Sequence, residues 1–163
     1  MRVAPSLIAM FALGSAVAFA EIAPETEIYQ AVLASVPSNG IYVVREMPVR
    51  PSPPAATEFE AQRSDRSFDP KIFDGLPVRI LREAENRALF ANGCQAGWKA
   101  FHSRFPRAKY QIGLSHIVFR SPREAVVYLE TGRGCLAAGG EMITLENVAG
   151  QWRIKKSDPL WVS

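Results

Sequence analysis

The C-terminal third of the chain consists of stretches in which apolar and polar side chains alternate. Four such stretches follow one another, and Ser, Pro, Asn or Gly fill the connections between them. A period of two residues is that of a β-strand with one buried face, and short turn-forming connections join strands antiparallel. The sequence therefore predicts an antiparallel meander of four or more strands. The candidates are 112–119, 125–130, 141–147 and 151–156.

The residues before this meander have the period of helices. Apolar side chains recur at helical spacing over 24–36, 83–90 and 95–105, and short β-branched runs at 41–44 and 78–81 predict two further strands. Helices grouped ahead of antiparallel strands are typical of the α+β class. We expect one α+β domain over 21–163, with three helices packed on the sheet.

Residues 1–20 have the pattern of a signal peptide. The single charge of Arg2 precedes an uncharged apolar run that closes in a small-x-small sequence before Glu21. An uncleaved membrane anchor is the alternative, but it needs roughly 20 apolar residues, and Pro5 and Gly14 interrupt a shorter core. We predict cleavage near Glu21, a periplasmic or secreted mature protein, and no transmembrane segment after cleavage.

The chain has two cysteines, Cys94 and Cys135. In an oxidising compartment, two thiols in one small domain most simply form a disulfide. A reactive thiol is the alternative, but the sequence has no Cys-x-x-Cys pair and no histidine close to either cysteine. We predict a Cys94–Cys135 disulfide.

Residues 48–67 contain four prolines followed by a polar stretch. Such a composition does not pack regularly, and it predicts a surface segment that is extended or partly mobile. The alternative is a recognition arm for a partner that binds polyproline-like segments.

Several segments together resemble a family of exported bacterial proteins of unknown function, over about residues 27–163. They are Gly97-Trp98-Lys99-Ala100-Phe101 with Phe105-Pro106, Ser115-His116-Ile117-Val118-Phe119, Ala125-Val126-Val127-Tyr128, the glycine-rich stretch 132–140, Gly150-Gln151-Trp152-Arg153-Ile154 and Trp161-Val162-Ser163.

This resemblance implies export and a shared fold, and it brings no activity. The family carries Cys-x-x-Leu-Cys-Gly-x-Gly in its glycine-rich stretch. Here Leu136 and Gly140 keep their places, but the two local cysteines of that pattern are missing. The departure favours a bond from Cys135 to Cys94.

The two histidines, His102 and His116, are the candidate bases if the protein is an enzyme. His102 shares an apolar helix face with Trp98, which favours a position at the edge of the core. His116 follows Ser115 in a predicted strand, where adjacent side chains point to opposite faces, so the two do not form a nucleophile and its base.

Other motifs do not indicate a cofactor or a metal. The glycines of 132–140 precede a strand rather than a helix and lack Gly-Lys-Ser/Thr, so they do not predict a phosphate loop. Asp65, Asp69 and Asp74 lack the alternating spacing of a calcium loop. We expect solvated loop acids, no cofactor and no metal site.

The charge of the chain limits the classes of partner that we expect it to bind. A formal net charge of +3 without a basic stripe or motif does not predict nucleic-acid binding. Basic side chains in the second half of the chain could converge into a patch that binds an anionic envelope polymer, a lipid headgroup or an acidic protein. They are Arg104, Arg107, Lys109, Arg120 and Arg123, with Arg153, Lys155 and Lys156 beyond.

Three functions remain open from the sequence. The leading one is an exported, non-catalytic envelope or secreted protein that binds another macromolecule, because no catalytic constellation accompanies the leader. The second is a small hydrolase or isomerase with a pocket between sheet and helices and a histidine base. The third is an inhibitory or structural partner acting through 48–67.

Overall fold

The computed structural model describes residues 23–52, 57–59 and 66–163. The predicted leader and the remaining residues of the proline-rich segment lie outside these ranges. The described elements are α1 (Pro24–Ala34), β1 (Tyr42–Arg45), short 3-10 helices at Thr57–Phe59 and Pro70–Phe73, β2 (Val78–Leu81), α2 (Glu83–Phe90), α3 (Cys94–Arg104), β3 (Gln111–Leu114), β4 (Val118–Ser121), β5 (Glu124–Gly134), β6 (Ala137–Val148) and β7 (Gln151–Val162).

The strands form one mixed sheet with the order β2-β1-β3-β5-β6-β7, and β4 also pairs with β5. Strands β5, β6 and β7 form the predicted antiparallel meander. The prediction of a purely antiparallel sheet was wrong, because β1 pairs parallel with both β2 and β3. Parallel neighbours need long crossover connections, and residues 46–77 and the α2–α3 pair provide them.

The predicted strand 112–119 is two strands, separated by a bend at Ser115. The N–H of Ser115 donates to the carbonyl of Tyr128 (2.9 Å). The Ser115 hydroxyl accepts from the Tyr128 N–H (2.8 Å) and donates to the carbonyl of His116 (2.7 Å). The side chain thus takes the place of a backbone partner where β3 leaves β5, and β4 then pairs further along β5.

The glycine-rich stretch 132–140 is not a loop, which corrects the sequence prediction. Strands β5 and β6 continue through it to a tight turn at Cys135 and Leu136. The hairpin is therefore much longer than the alternation alone predicted.

Helix α1 and the 3-10 helix Pro70–Phe73 cover one face of the sheet. Their apolar side chains pack on the inward side chains of β1, β3, β5, β6 and β7, and the Tyr29 hydroxyl donates to the carbonyl of Ser115 (3.0 Å). Burial of this largely apolar interface supplies the main driving force for folding. Its largest fully buried side chains are Ile28, Tyr29, Leu33, Ile112, Leu114, Leu129, Ile143 and Leu145.

Helix α3 covers part of the opposite face and is bonded to the β5–β6 hairpin. Cys94, at its first position, forms the predicted disulfide with Cys135, with the Cα atoms 5.8 Å apart. Trp98 lies over Gly132, where a Cβ would be 3.2 Å from the indole ring. The glycine therefore allows close approach of the helix.

The described parts of the proline-rich segment pack on the same opposite face. The Val49 N–H donates to the carbonyl of Leu114 (2.8 Å), and Pro51 is buried. Phe59 is only 1% exposed and packs on Val126 and Tyr128. These side chains are buried against the sheet. The rest of the segment that was predicted as a possible recognition arm lies outside the described residues.

Over the described ranges, the helices are too short or too polar to cross a bilayer.

Candidate functional site

His102 lies on the exposed side of α3, against the β5–β6 hairpin. Its Nε2 is 3.1 Å from the carbonyl oxygen of Arg133. Its ring stacks on that of Trp98, with 5.8 Å between centroids and 28° between planes. In the described part of the chain it has no carboxylate hydrogen-bond partner that would orient it as a base.

His116 is half-buried at the bend between β3 and β4. Its ring meets Phe68 edge to face, with 5.2 Å between centroids. It lines a pocket together with Glu25 and Asp69, but its ring forms no hydrogen bond with either carboxylate. The hydrolase or isomerase alternative, which needs one of the two histidines as base, stays a prediction.

The five basic residues predicted to form an anionic-partner patch lie in two groups. The first group extends from the last residue of α3 towards Gln111, which pairs with Gly132, whereas the second precedes Glu124. At about 3.3 Å per strand residue, these two levels of β5 are about 26 Å apart. The groups are Arg104, Arg107 and Lys109, and Arg120 and Arg123.

Two members of these groups are already paired. Arg104 bonds to Glu85 of α2, and Arg120 bonds to Glu58 and Glu124. Hydrogen bonds from Lys155 and then Arg120 hold the pKa of Glu124 below its usual range. Anion binding by either group stays a prediction.

The predicted loop acids have local roles. The carboxylate of Asp69 accepts from the Lys71 N–H (3.0 Å) and caps the second 3-10 helix, and Asp74 follows that helix. Asp65 lies outside the described residues. Within the described ranges, no three His, Cys, Asp or Glu side chains are close enough to share a metal ion.

A polar cluster on the face that α3 partly covers was missed by the sequence analysis. Arg45 forms an ion pair with Glu130, whose other oxygen accepts from the Tyr128 hydroxyl (3.0 Å). The indole N–H of Trp161 donates to that same hydroxyl (2.8 Å). Burial, and less strongly the charge of Glu130, raises the pKa of Tyr128 to about 12.

Two glycines leave the space that this cluster occupies. A Cβ on Gly113 would overlap the Arg45 guanidinium, and one on Gly140 would overlap both Trp161 and Tyr128. These positions flank Glu130 in the sheet register. The cluster is packed rather than open, so it supports the sheet more than it offers a binding surface.

An open groove, which we call the α1–β4 groove, runs between the start of α1 and strand β4. It consists of two adjoining pockets of about 240 and 580 Å³, which share Glu25 and Phe119 as walls. Phe119 is 48% exposed, and its ring meets Trp152 edge to face at 6.0 Å. The other walls that matter are Phe68, Asp69 and His116.

Sequence reasoning did not find this groove, because its walls come from separate places in the chain. Residues 24–25 begin α1, 68–72 begin the second 3-10 helix, 116–119 lead into β4, and Trp152 lies in β7. Only the exposed position of an aromatic residue in a strand could have been a signal, and the sequence does not show which face of β4 is covered.

A second large pocket, of about 480 Å³, lies over the opposite face beside Arg120 and Lys156. Its cations are matched by carboxylates, with Lys155 on Glu124 (3.0 Å) and Lys156 on Asp158 (2.8 Å). The pocket is therefore close to electrically neutral, and the α1–β4 groove is the stronger candidate site.

Comparison of the chain with protein-family models, curated proteins and solved structures finds no match.

Proposed function

We propose that this chain is an exported, non-catalytic protein that binds a polypeptide partner in the α1–β4 groove. The observation that carries the proposal is the position of Phe119, a half-exposed aromatic side chain between two adjoining pockets. Aromatic residues next to pockets carry a large share of the binding energy in many protein interfaces.

The lining of the groove suits a peptide. Phe119 supplies most of the accessible aromatic surface, because Phe68 and Trp152 line the pockets with only 5% and 8% of their surface exposed. Peptide grooves combine such apolar area with a few polar groups that fix the register of the bound chain.

Export is supported by the leader pattern at residues 1–20 and by the Cys94–Cys135 disulfide, because disulfides persist in oxidising compartments. Expression with the native leader in a bacterial host tests it. We expect a periplasmic product that begins near Glu21 and resists alkylation without reductant. A cytoplasmic, uncleaved product with two free thiols would refute export.

Selection from a randomised heptapeptide phage library tests peptide binding. We expect enriched peptides whose affinity falls at least about tenfold in Phe119→Ser, the loss typical of an aromatic anchor. Leu136→Ser is the matched control, because Leu136 is 86% exposed at the distant β5–β6 turn. No enrichment, or equal loss in both variants, would overturn the proposal.

A further inference from the structure

The inner pocket of the α1–β4 groove is acidic on a chain whose formal net charge is +3. Glu25 enters it from the first turn of α1, and Asp69 enters it from the cap of the second 3-10 helix. None of the described residues that line this pocket is a lysine or an arginine, although His116 also lines it. The two acidic residues therefore share a space whose described walls carry neither of these cations.

Some other carboxylates of the described residues are neutralised by the chain itself, whereas Glu27, Glu46, Asp74, Glu141 and Glu146 form no ion pair with a described residue. Arginine or lysine side chains pair with Glu85, Glu124, Glu130 and Asp158. Neither Glu25 nor Asp69 forms an ion pair within the described residues, although Asp69 accepts the capping N–H of Lys71. Within the described residues, the two acidic residues that line the inner pocket thus have no basic partner.

Aromatic rings form the rest of the wall. Tyr29 and Phe68 lie edge to face with 5.8 Å between ring centroids, and the half-exposed Phe119 lies between this pocket and the outer one. The position of Glu25 beside Tyr29 also appears in the Tyr29 pKa, which burial and then the charge of Glu25 raise. Carboxylates beside aromatic faces are the surroundings that recognise ammonium and guanidinium groups.

The pocket is also the right size for one side chain. Its volume of about 240 Å³ is below that of pockets for drug-sized ligands, which start at about 300 Å³. It adjoins the larger outer pocket, with which it shares Glu25 and Phe119 as lining residues. A side chain bound here would extend from a backbone lying in the outer pocket.

We propose that the inner pocket binds an arginine or lysine side chain of the polypeptide held in the groove. This inference rests on the proposed function and specifies the residue that the partner must present. Glu25 and Asp69 bind the cationic end, and Phe68 and Phe119 contact its aliphatic stem.

The direct test is a titration of the full mature chain with N-acetyl-arginine amide, followed by ¹H–¹⁵N NMR. We expect saturable shifts at His116 and Ile117, and at least tenfold weaker binding of the uncharged N-acetyl-citrulline amide. The double variant Glu25→Gln/Asp69→Asn should lose at least tenfold in affinity, and asparagine retains the capping function.

Glu27→Gln is the matched control. It removes the same charge from the same turn of α1, but Glu27 lines a separate pocket beside Gln151 and Arg153. We expect its affinity to stay within about twofold of the wild type, because exposed charges at a distance are screened by salt. An equal loss in Glu27→Gln would overturn the pocket in favour of a general charge effect.

The peptide selection separates this inference from the function on which it rests. Enriched peptides with a fixed Arg or Lys that is lost on Glu25→Gln/Asp69→Asn support both. Enriched peptides without a basic residue, together with no arginine-amide binding, overturn the inference and leave the function. Arginine-amide binding without any enriched peptide overturns the function and leaves a site for a small organic cation.

A second copy of the chain is the other occupant that the test must detect. Sedimentation at the NMR concentration should show a monomer. A dimer that dissociates in Phe119→Ser would overturn the inference, because the groove would then be covered by the protein itself.

Discussion

Single glycines determine whether the sheet can hold its polar cluster. At Gly140, an added methyl group would overlap Trp161 and Tyr128, whereas at Gly134 the nearest atom to an added Cβ is Ala137 Cβ at 3.5 Å, an ordinary contact. Neither glycine has a positive φ. The two positions therefore differ in the space around them and not in backbone strain.

We expect Gly140→Ala to destabilise the fold by about 1 to 3 kcal/mol, the usual penalty of overpacking. Urea unfolding followed by circular dichroism measures it. Gly134→Ala should be neutral or slightly stabilising, because alanine restricts the unfolded chain more than glycine does. Equal destabilisation by both substitutions would contradict the packing role of Gly140.

The raised pKa of Tyr128 predicts how the stability of the fold changes at alkaline pH. Its pKa in the folded chain is about 12, against 10 as its ordinary value. Between these values the folded state binds more protons than the unfolded state, so the free energy of unfolding falls as pH rises. Two pKa units correspond to at most about 3 kcal/mol.

The comparison with Tyr128→Phe isolates this effect. The variant loses two hydrogen bonds and should be less stable at pH 8, but its stability should fall less steeply from pH 9 to pH 11. Tyr29 has a raised pKa in both proteins, so its contribution to the pH dependence cancels in the comparison. Parallel pH profiles of the two proteins would exclude the contribution of Tyr128.

At this scale the sequence predicted some contacts and not others. The disulfide was predictable because the chain offers one pairing. The roles of Gly140 and Glu25 were not, since their neighbours come from β7 and from residues 68–73, far away in the chain. Hydrophobic periodicity predicts on which face of a helix or strand a residue lies, but not which distant residues pack against that face.

At the scale of elements, the disulfide holds α3 on the long hairpin. It joins residues separated by 41 positions, and α3 also contacts β5 through Trp98 on Gly132 and His102 on the Arg133 carbonyl. We expect Cys94→Ala/Cys135→Ala to lower the free energy of unfolding by about 2 to 4 kcal/mol, because the unfolded chain gains the freedom of an open loop.

The measurement is urea unfolding of the double variant beside the oxidised wild type. The wild type unfolded in reductant is the control and should resemble the double variant. Unchanged stability in both would mean that the contacts of Trp98 and its neighbours fix α3 without the bond.

Strand β7 forms one edge of the sheet, and within the described residues only β6 pairs with it along its twelve positions. Lysines, proline and bulges protect exposed edges from pairing with other chains. This strand has Lys155, Lys156 and Pro159, and its pairing with β6 is interrupted by two register shifts.

We expect Lys155→Thr/Lys156→Thr to increase self-association at 37 °C, measured by light scattering, because the edge loses its charges and gains β-forming residues. Lys109→Thr removes a charge outside the sheet and serves as control. If both variants stay monomeric, the bulges and Pro159 are sufficient protection.

Element types were more predictable than element pairing. The alternation from residue 112 onward gave the meander, and the helical periods gave all three described helices. The parallel pairing of β1 was hidden, because a four-residue apolar run carries no information about the direction of its neighbours. The bend at Ser115 was hidden too, since a hydroxyl replaces a backbone partner there.

For the whole molecule, the fold brings together residues that no local pattern connects. Glu25 and Asp69 are 44 positions apart, and each has a satisfactory local explanation as a helix-start acid. Only the packing of α1 and the second 3-10 helix on one sheet face places both at the same pocket. A candidate site of this kind depends on tertiary structure. The sequence could therefore predict its residue types but not that these residues lie close together.

The contact between α1 and β7 has a consequence for when the chain can fold. The first described helix packs on Trp152 of the last strand, and β1 needs β3, which in turn needs β5. Contacts between distant parts of a chain form late and slowly. No portion of the chain that lacks β7 can therefore complete this core, so the polypeptide stays incompletely folded until β7 has been synthesised.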